Sequence, residues 1–209
     1  MAPGERHRGC QRPAAVRLVD RLPVLGHCAH AHPGTRLAGT PAAESKEQQL
    51  SRIAIAVENP LQDDVRALIK ELNETLLGLT PPEFVFHTTA EQMAEPDTTV
   101  FIAREDGQAV ACGALKRHAD GIGEVKRMYT RPSHRGRKIG AMIVERVEAL
   151  ARQEGFKRLV LETGDRHPAA WTVYERAGFT RCGAVLDYPD SKWSVFYKKE
   201  LTPSSHRSP

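Results

Sequence analysis

The sequence predicts an α/β fold, because its apolar residues follow two different periods along the chain. Over residues 52–57 large and small side chains alternate, which is typical of a β-strand. From Ile139 to Ala151 the larger apolar residues recur three or four positions apart, which is typical of an amphipathic helix. Taken in order, such patterns give a strand, two helices, three strands, a helix, a strand, a helix and two strands.

The first half of this series begins with the strand at 52–57. A helix is predicted over 61–77, where leucines, a valine and an isoleucine hold helical spacing until a glycine and two prolines end it. A short second helix then runs to Met93, with either Thr88 or Thr89 as its cap.

A hairpin follows, in which the strands at 99–103 and 109–115 are joined through Asp106-Gly107, a pair that favours tight hairpin turns. After the central strand and helix, an apolar run predicts a buried strand at 158–162. The remaining elements are a helix over 168–177, closed by Gly178, and two strands at 180–185 and 193–197.

The centre of the fold is a strand, a turn and a helix between Gly123 and Glu154. In the strand at 123–130, Val125 and Tyr129 are expected on one face, because they are separated by an even number of positions. The helix starts near Ile139, and Gly155 stops its pattern.

The turn that joins this strand to the helix has the composition of a phosphate-binding site. The first N–H groups of a helix have no partner inside it, and the helix dipole is positive at that end. Gly136 and Gly140 lack a Cβ, so an anion can approach the backbone there. Arg135, Arg137 and Lys138 add formal positive charge. The turn is therefore predicted to hold a pyrophosphate.

Two familiar phosphate loops do not fit this turn. A Walker A loop needs a glycine followed by Lys-Ser/Thr, whereas Ala141 and Met142 follow Gly140. A dinucleotide-binding fold needs three glycines in the GxGxxG spacing, and this turn has only Gly136 and Gly140.

The strand, turn and helix resemble the cofactor-binding motif of the GNAT superfamily of N-acetyltransferases. Its Arg/Gln-x-x-Gly-x-Gly/Ala pattern is met by Arg135 and Gly140, while Lys138 stands where the middle glycine is usual. Residues 170–179, Ala-Trp-Thr-Val-Tyr-Glu-Arg-Ala-Gly-Phe, are similar to the family's Ala-x-x-x-Tyr-x-x-x-Gly-Phe segment. The resemblance covers residues 52–201, in two linked motifs.

The resemblance implies a mixed, mostly antiparallel twisted sheet flanked by helices, which binds acetyl-CoA as the acetyl donor. The fourth strand diverges from the fifth in this family, and the pantetheine arm enters the gap. The pyrophosphate then falls on residues 135–141, namely Arg135, Gly136, Arg137, Lys138, Ile139, Gly140 and Ala141. The arm is held by backbone groups at Met128, Tyr129 and Thr130 and by His167, which stands where the family often has an asparagine.

The resemblance also implies catalytic roles for two residues. Glu124 matches a glutamate that many members use as a general base, often through a water. Its alternative is a solvated strand carboxylate that pairs with Lys126 or Arg127. Tyr174 matches a tyrosine that protonates the departing thiolate, and its alternative is a core tyrosine with a satisfied hydroxyl. A backbone N–H near Met128 or Tyr129 would serve the oxyanion.

The predicted function is N-acetyl transfer to a primary amine by direct attack in a ternary complex. A non-catalytic acyl-CoA-binding module or sensor is the alternative, because Lys138 and His167 depart from the family pattern. The acceptor, a small molecule or a peptide amine, stays open. Carboxylates in loops that the family places near the acceptor mouth would favour a cationic amine: Glu83, Asp187 and Asp190.

Composition limits the other functions. Seven Lys/Arg against four Asp/Glu give residues 1–50 a charge of +3, which leaves +1 of the net +4 for the rest. With 6% aromatic residues and no basic face, no nucleic-acid partner is expected. The oligomeric state stays open, with a homodimer among the alternatives.

The cysteines and the hydropathy of the chain predict a cytoplasmic protein. Four cysteines show no C-x-x-C pair, so free thiols in a reducing compartment are expected: Cys10, Cys28, Cys112 and Cys182. No apolar run approaches the roughly 20 residues of a membrane span. No membrane partner and no signal peptide are therefore expected.

Residues 1–50 are predicted to be a disordered extension, because they are rich in Ala, Pro, Arg and His and have little periodicity. An organelle transit peptide is disfavoured by the lack of serine before Ser45, and a misplaced start codon is the other alternative. The tract from His27 to His32 lacks the spacing of a zinc site, so no metal is expected. The acetyltransferase domain is predicted at 51–202, with a disordered tail at 203–209.

Overall fold

The computed structural model describes residues 52–86 and 88–201, except for the side chain of Glu83. The expected N-terminal extension, the tail and the predicted domain limits lie outside the described residues. So do Cys10, Cys28 and the tract from His27 to His32.

Seven strands form one sheet in the order β1-β2-β3-β4-β5-β7-β6. Neighbouring strands are antiparallel except β4 and β5, which are parallel. The expected mixed, mostly antiparallel α/β sheet is thereby confirmed. The strands are β1 (Ile53–Val57), β2 (Thr98–Glu105), β3 (Gln108–Arg117), β4 (Ile122–Thr130), β5 (Arg158–Gly164), β6 (Thr180–Cys182) and β7 (Ser194–Glu200).

In the described part of the chain, four α-helices flank the sheet: α1 (Asp63–Leu77), α2 (Ala90–Met93), α3 (Ile139–Gln153) and α4 (Pro168–Arg176). Single 3₁₀ turns lie at Pro82–Phe84, Ala119–Gly121 and Pro132–His134. Among the described residues, no helix is both long and apolar enough to cross a membrane.

Two apolar cores lie on opposite faces of the sheet, because side chains alternate along each strand. On one face, α1 and α2 cover β2 and β3 through residues such as Leu68, Met93, Ile102 and Cys112. On the other face, α3 and α4 cover the sheet through residues such as Leu115, Ile143, Leu161 and Tyr197. We call these the α1 face and the α3 face.

Local turn chemistry explains several boundaries. Asp106 and Gly107 have φ of 47° and 83°, as a two-residue hairpin with the twist of its strands requires. Thr89 is the cap of α2, because its Oγ1 accepts from the Gln92 N–H at 3.2 Å while Gln92 Oε1 accepts from the Thr89 N–H at 2.9 Å.

The last two strands differ from the expected ones. Strand β6 stops at Cys182 rather than at 185, and β7 extends three residues further, to Glu200. The chain leaves the sheet after Cys182, and Leu186 adopts a φ of 51°, which cannot continue a strand. The loop between β6 and β7 thus reaches over the sheet, where it brings Tyr188 to the site described next.

Candidate active site

The sheet opens between its two parallel strands. Strands β4 and β5 pair only from Ile122 with Arg158 to Glu124 with Val160. Beyond Glu124, β4 continues beside β3, while β5 continues beside β7 as far as Gly164. The diverging strands leave a wedge-shaped gap, as the family resemblance implied, and the edges of the gap carry backbone groups that a bound chain can use.

A β-bulge turns the side chains of β4 just beside this gap. Cys112 pairs with Tyr129 and Ala114 pairs with Lys126, so Arg127 and Met128 together face Gly113. Arg127 takes the extra position with a φ of 57°, which is unusual for a residue with a side chain.

The bulge makes one expectation from the sequence wrong. Val125 belongs to the core on the α3 face and Tyr129 to the core on the α1 face, whereas alternation predicted them on one face. Because one residue is inserted between them, every side chain after Arg127 changes face. Met128 consequently packs toward α3, where a Cβ on Gly113 would lie 2.3 Å from its Sδ.

The predicted phosphate cradle lies at the N-terminus of α3. Its N-cap residue Lys138 adopts the left-handed conformation with φ of 60°, and Gly136 has φ of 77°. A Cβ on Gly136 would meet no atom within 4 Å, and one on Gly140 would meet only Thr130 Oγ1 at 3.9 Å. The backbone here is therefore open. The first N–H groups of α3, at Ile139 to Ala141, have no acceptor within the helix.

The charges around the cradle are less free than the sequence suggested. The Arg137 guanidinium pairs with Glu105 through Nη1 at 2.8 Å and Nη2 at 2.5 Å, and His134 Nε2 lies 3.0 Å from the same carboxylate. These contacts, chiefly that with Arg137, lower the pKa of Glu105 to about 2. Arg135 donates from Nε to the Thr130 carbonyl at 3.1 Å. The charge of Arg137 is thus already compensated within the protein.

Glu124 is a buried, fully hydrogen-bonded carboxylate at the point where β4 and β5 separate. It is 2% exposed and accepts from the Tyr188 hydroxyl at 2.5 Å and from Lys126 Nζ at 3.1 and 3.2 Å, while His118 Nε2 lies 2.9 Å away. Burial raises its pKa, but Lys126 and the hydrogen bonds outweigh burial and leave the pKa below its ordinary value. The alternative of a solvated carboxylate does not hold, although the pairing with Lys126 does.

A second carboxyl group, not identified from the sequence, lies on β5 beside the gap. Glu162 follows Val160 by two positions, so it shares the face of Glu124. Burial raises the pKa of Glu162, and the charge of Glu124 adds to this effect, while Ser194 opposes it through a hydrogen bond. The sequence feature that could have identified Glu162 is the presence of a glutamate in the mostly apolar strand at 158–162.

Tyr174 lies on the α3 face of the gap and is 5% exposed. Its ring packs against the rings of Phe179 and Tyr197, each with a centroid distance of 6.0 Å. Burial and the charge of Glu162 raise the pKa of Tyr174, so its hydroxyl stays protonated. Among the described residues this hydroxyl has no hydrogen-bond partner, so Tyr174 packs as a core residue and still has a proton to donate.

His167 is the N-cap residue of α4, and its ring lies against the end of β5. A Cβ on Gly164 would be 2.5 Å from the ring Cδ2, so this close approach depends on glycine. Its Nε2 is buried without a partner among the described residues. Burial lowers the pKa of His167, although Asp165 opposes the effect, so the neutral ring can donate or accept a hydrogen bond here.

The loop between β6 and β7 covers the α1 side of the gap. The Tyr188 ring contacts Phe86 edge to face at 4.9 Å and Phe196 at 6.4 Å. Asp187 and Asp190, expected near the acceptor, are exposed. Within residues 52–86 and 88–201, no three His, Cys, Asp or Glu side chains gather closely enough to hold a metal ion.

Comparison with known proteins agrees with this geometry. Residues 65–179 match the model of the acetyltransferase (GNAT) family. The chain is 38% identical over 153 residues to an IAA acetyltransferase of Azospirillum brasilense, which covers 73% of this chain and 100% of that protein. It is 33% identical over 141 residues to YsnE, an uncharacterised N-acetyltransferase of Bacillus subtilis, covering 65% and 93%.

A solved structure described as an acyl-CoA N-acyltransferase from Klebsiella pneumoniae has a TM-score of 0.63 and 32% identity, covering 72% of this chain and 98% of that one. A mixed sheet that opens between two parallel strands, next to a helix N-terminus, together with these relatives, defines an acyltransferase. The chain belongs to the GNAT family of acetyltransferases.

Proposed function

We propose that this protein is an N-acetyltransferase that moves an acetyl group from acetyl-CoA to a primary amine of a small molecule or peptide, by direct attack in a ternary complex. The observation that carries the proposal is the opening between β4 and β5, which has a buried carboxylate, Glu124, on one side and a protonated phenol, Tyr174, on the other. The names of the relatives support acetyl transfer.

The residues around the gap fit acetyl-CoA as the donor substrate. The open backbone from Gly136 to Ala141 offers N–H groups and a helix dipole to the pyrophosphate. The edges of the gap offer backbone groups at Met128, Tyr129 and Thr130 to the pantetheine arm. The unpartnered Nε2 of His167 offers one more polar contact. Arg137 would contact the pyrophosphate through its backbone, because its guanidinium pairs with Glu105.

Attack on the thioester needs a neutral amine, whereas an alkylamine with an ordinary pKa of about 10.4 is almost wholly protonated at neutral pH. Glu124 accepts the proton in our proposal, directly or through a water, because its lowered pKa keeps it ionised. The Tyr188 hydroxyl must release the carboxylate for this step, since it occupies Oε1 at 2.5 Å. The Lys126 ammonium stabilises the ionised form.

The remaining steps fall to groups on the other side of the gap. A backbone N–H at Met128 or Tyr129 donates to the oxygen of the tetrahedral intermediate. Tyr174 donates its hydroxyl proton to the departing thiolate, and its raised pKa ensures that this proton is present.

A titration separates this function from that of a non-catalytic acyl-CoA sensor. The protein is titrated calorimetrically with acetyl-CoA, and thiol release is then followed with monoamines, polyamines, amino acids and peptides. Binding with thiol release is expected for an enzyme, and its dependence on the acceptor gives the acceptor class. Binding without release on any amine favours the sensor, and absence of binding refutes the cofactor site.

A further inference from the structure

The most buried arginine near the gap has no acidic partner. Arg127 is 7% exposed, donates from Nη2 to Asn73 Oδ1 on α1, and carries a buried Nε without a partner within the described residues. The other arginines with buried or half-buried heads pair with carboxylates, as Arg104 does with Glu58 and Arg117 with Glu154. No carboxylate in the described part of the chain pairs with Arg127.

A buried cation without a counterion is unfavourable, because desolvation is not offset by an opposite charge. Burial accordingly lowers the pKa of Arg127. A guanidinium nevertheless remains protonated in proteins, so the charge stays in place. Only Asn73 engages its five N–H groups among the described side chains, which leaves a planar fork suited to an oxyanion.

The direction of the Arg127 side chain depends on the strained backbone of the β-bulge. Without the bulge, alternation would direct residue 127 into the core against α3. The inserted position instead puts Lys126 and Arg127 side by side on the α1 face, at the cost of a left-handed φ. The Cys112 thiol supports the arrangement by donating to the Arg127 carbonyl at 3.3 Å.

This placement brings an unpaired cation next to the groups proposed for catalysis. Arg127 lies three positions from Glu124 on the same strand. Burial and Glu124 raise the pKa of Tyr188, whose hydroxyl contacts Glu124, and the charge of Arg127 opposes this rise. Lys126, the neighbouring cation, is already paired with Glu124. The α1 face of the gap therefore combines a carboxylate for an amine with a guanidinium that no carboxylate of the described residues pairs with.

We propose that the acceptor is an amine that also carries a carboxylate, and that Arg127 binds this carboxylate while Glu124 faces the amine. This inference rests on the proposed acetyl transfer and narrows its acceptor from any primary amine to a zwitterionic one. Asp187 and Asp190 are the exposed carboxylates that suggested a cationic amine acceptor from the sequence. Their side chains make no contact with this face among the described residues.

The test compares matched acceptors that differ only in the carboxylate, namely amino acids against their carboxamides, with thiol release as the readout. The wild-type protein should prefer the acid over the amide in kcat/KM. Arg127→Met should lower kcat/KM for the acid about 100-fold, as expected when one partner of a buried charge pair is removed. The same variant should lower kcat/KM for the amide much less than for the acid and should keep the affinity for acetyl-CoA. Arg158→Met, which removes an arginine paired with Glu200 away from the gap, is the control.

Two further measurements keep the inference separate from the proposed acetyl transfer and from a structural role. Calorimetry with CoA-saturated protein compares N-acetylated amino acids with their amides, so binding of the carboxylate is measured even if no acceptor is turned over. Arg127→Met should also melt at a higher temperature than the wild type, because it removes an uncompensated buried charge. An unchanged acid-to-amide ratio in Arg127→Met, or a wild-type preference for the amides in both assays, would overturn the inference.

Discussion

The hydroxyl of Tyr188 donates a 2.5 Å hydrogen bond to Oε1 of Glu124, across 64 residues of sequence. The bond joins the loop between β6 and β7 to the strand that borders the gap. It is one of the contacts that lower the pKa of Glu124, and it occupies Oε1 of this carboxylate. In the mechanism that we propose, Tyr188 therefore links acceptor entry to the ionisation of Glu124.

Removing this hydroxyl should shift the pH dependence of catalysis. The bond is one of the contacts that lower the pKa of Glu124, so Tyr188→Phe should raise this pKa. A base works only when deprotonated, hence activity falls as the pH drops through its pKa. The acid limb of the kcat/KM profile should consequently move to higher pH in Tyr188→Phe.

Tyr197→Phe is the matched control, because it also removes a hydroxyl bonded to a carboxylate, Glu175 at 2.9 Å, but away from Glu124. Its profile should keep the acid limb of the wild type. An identical acid limb in Tyr188→Phe and Tyr197→Phe would mean that Glu124 does not set that limb.

The two carboxyl groups beside the gap should affect stability with opposite pH dependence. The folded pKa of Glu124 lies below its unfolded value, so its contribution to stability is present above pH ~4.3, the unfolded pKa, and is lost as the pH falls through the folded pKa. Glu124→Gln should therefore destabilise at pH 7 by about 3 kcal/mol, because Lys126 loses its buried partner.

For Glu162 the pH dependence of the contribution to stability has the opposite sign, because the folded pKa of Glu162 is raised. The unfolded chain ionises first, so folding is penalised as the pH rises above the unfolded value. Glu162→Gln should thus stabilise the protein at pH 7 and have little effect near pH 4. Urea denaturation at both pH values measures the two variants, and a stability loss for Glu162→Gln at pH 7 would contradict the raised pKa.

Much of the fold could be predicted because local patterns and tertiary packing agree. The alternation in β1, the Asp106-Gly107 turn and the periodicity of α1 and α3 all coincide with the observed elements. The turn that we propose as the phosphate cradle could be placed for the same reason, since a glycine-containing turn before a helix is a local feature. These features depend on neighbours in the sequence.

The parts that could not be predicted depend on contacts between distant segments. The bulge at Arg127 arises from the register of β4 against β3. No residue type in β4 predicts a bulge at this position. The pairing of Arg137 with Glu105 and of Glu124 with Tyr188 joins residues 32 and 64 positions apart. Periodicity therefore predicted the strand, and the family resemblance implied its place in the candidate site, but neither indicated which face each side chain occupies.

Lys138 provides a test of the departure from the family pattern at the cradle. It takes a φ of 60° where a glycine would be unstrained, and left-handed backbone costs a residue with a Cβ about 1 kcal/mol. Lys138→Gly and Lys138→Ala both remove the ammonium and differ only in the Cβ. Lys138→Gly should be the more stable variant by about 1 kcal/mol in chemical denaturation.

The affinity for acetyl-CoA gives the complementary measurement on the same pair. If the ammonium contacts the pyrophosphate, both variants should bind more weakly than the wild type and by similar factors. Equal stability of the two variants would show that the left-handed conformation of residue 138 is not maintained in solution.

Tyr174→Phe should separate packing from proton donation, because phenylalanine preserves the ring contacts with Phe179 and Tyr197. Since the hydroxyl has no partner among the described residues, stability should change little. General acids typically contribute a factor of about 10² to 10⁴, so kcat should fall by about that factor. Binding of acetyl-CoA should be unchanged, and Tyr197→Phe should keep wild-type turnover.

Because a thiol with an ordinary pKa of about 8.5 is an adequate leaving group at high pH, the loss of turnover in Tyr174→Phe should diminish as the pH is raised. Unaltered turnover in Tyr174→Phe at neutral pH would assign protonation of the thiolate to another group or to solvent.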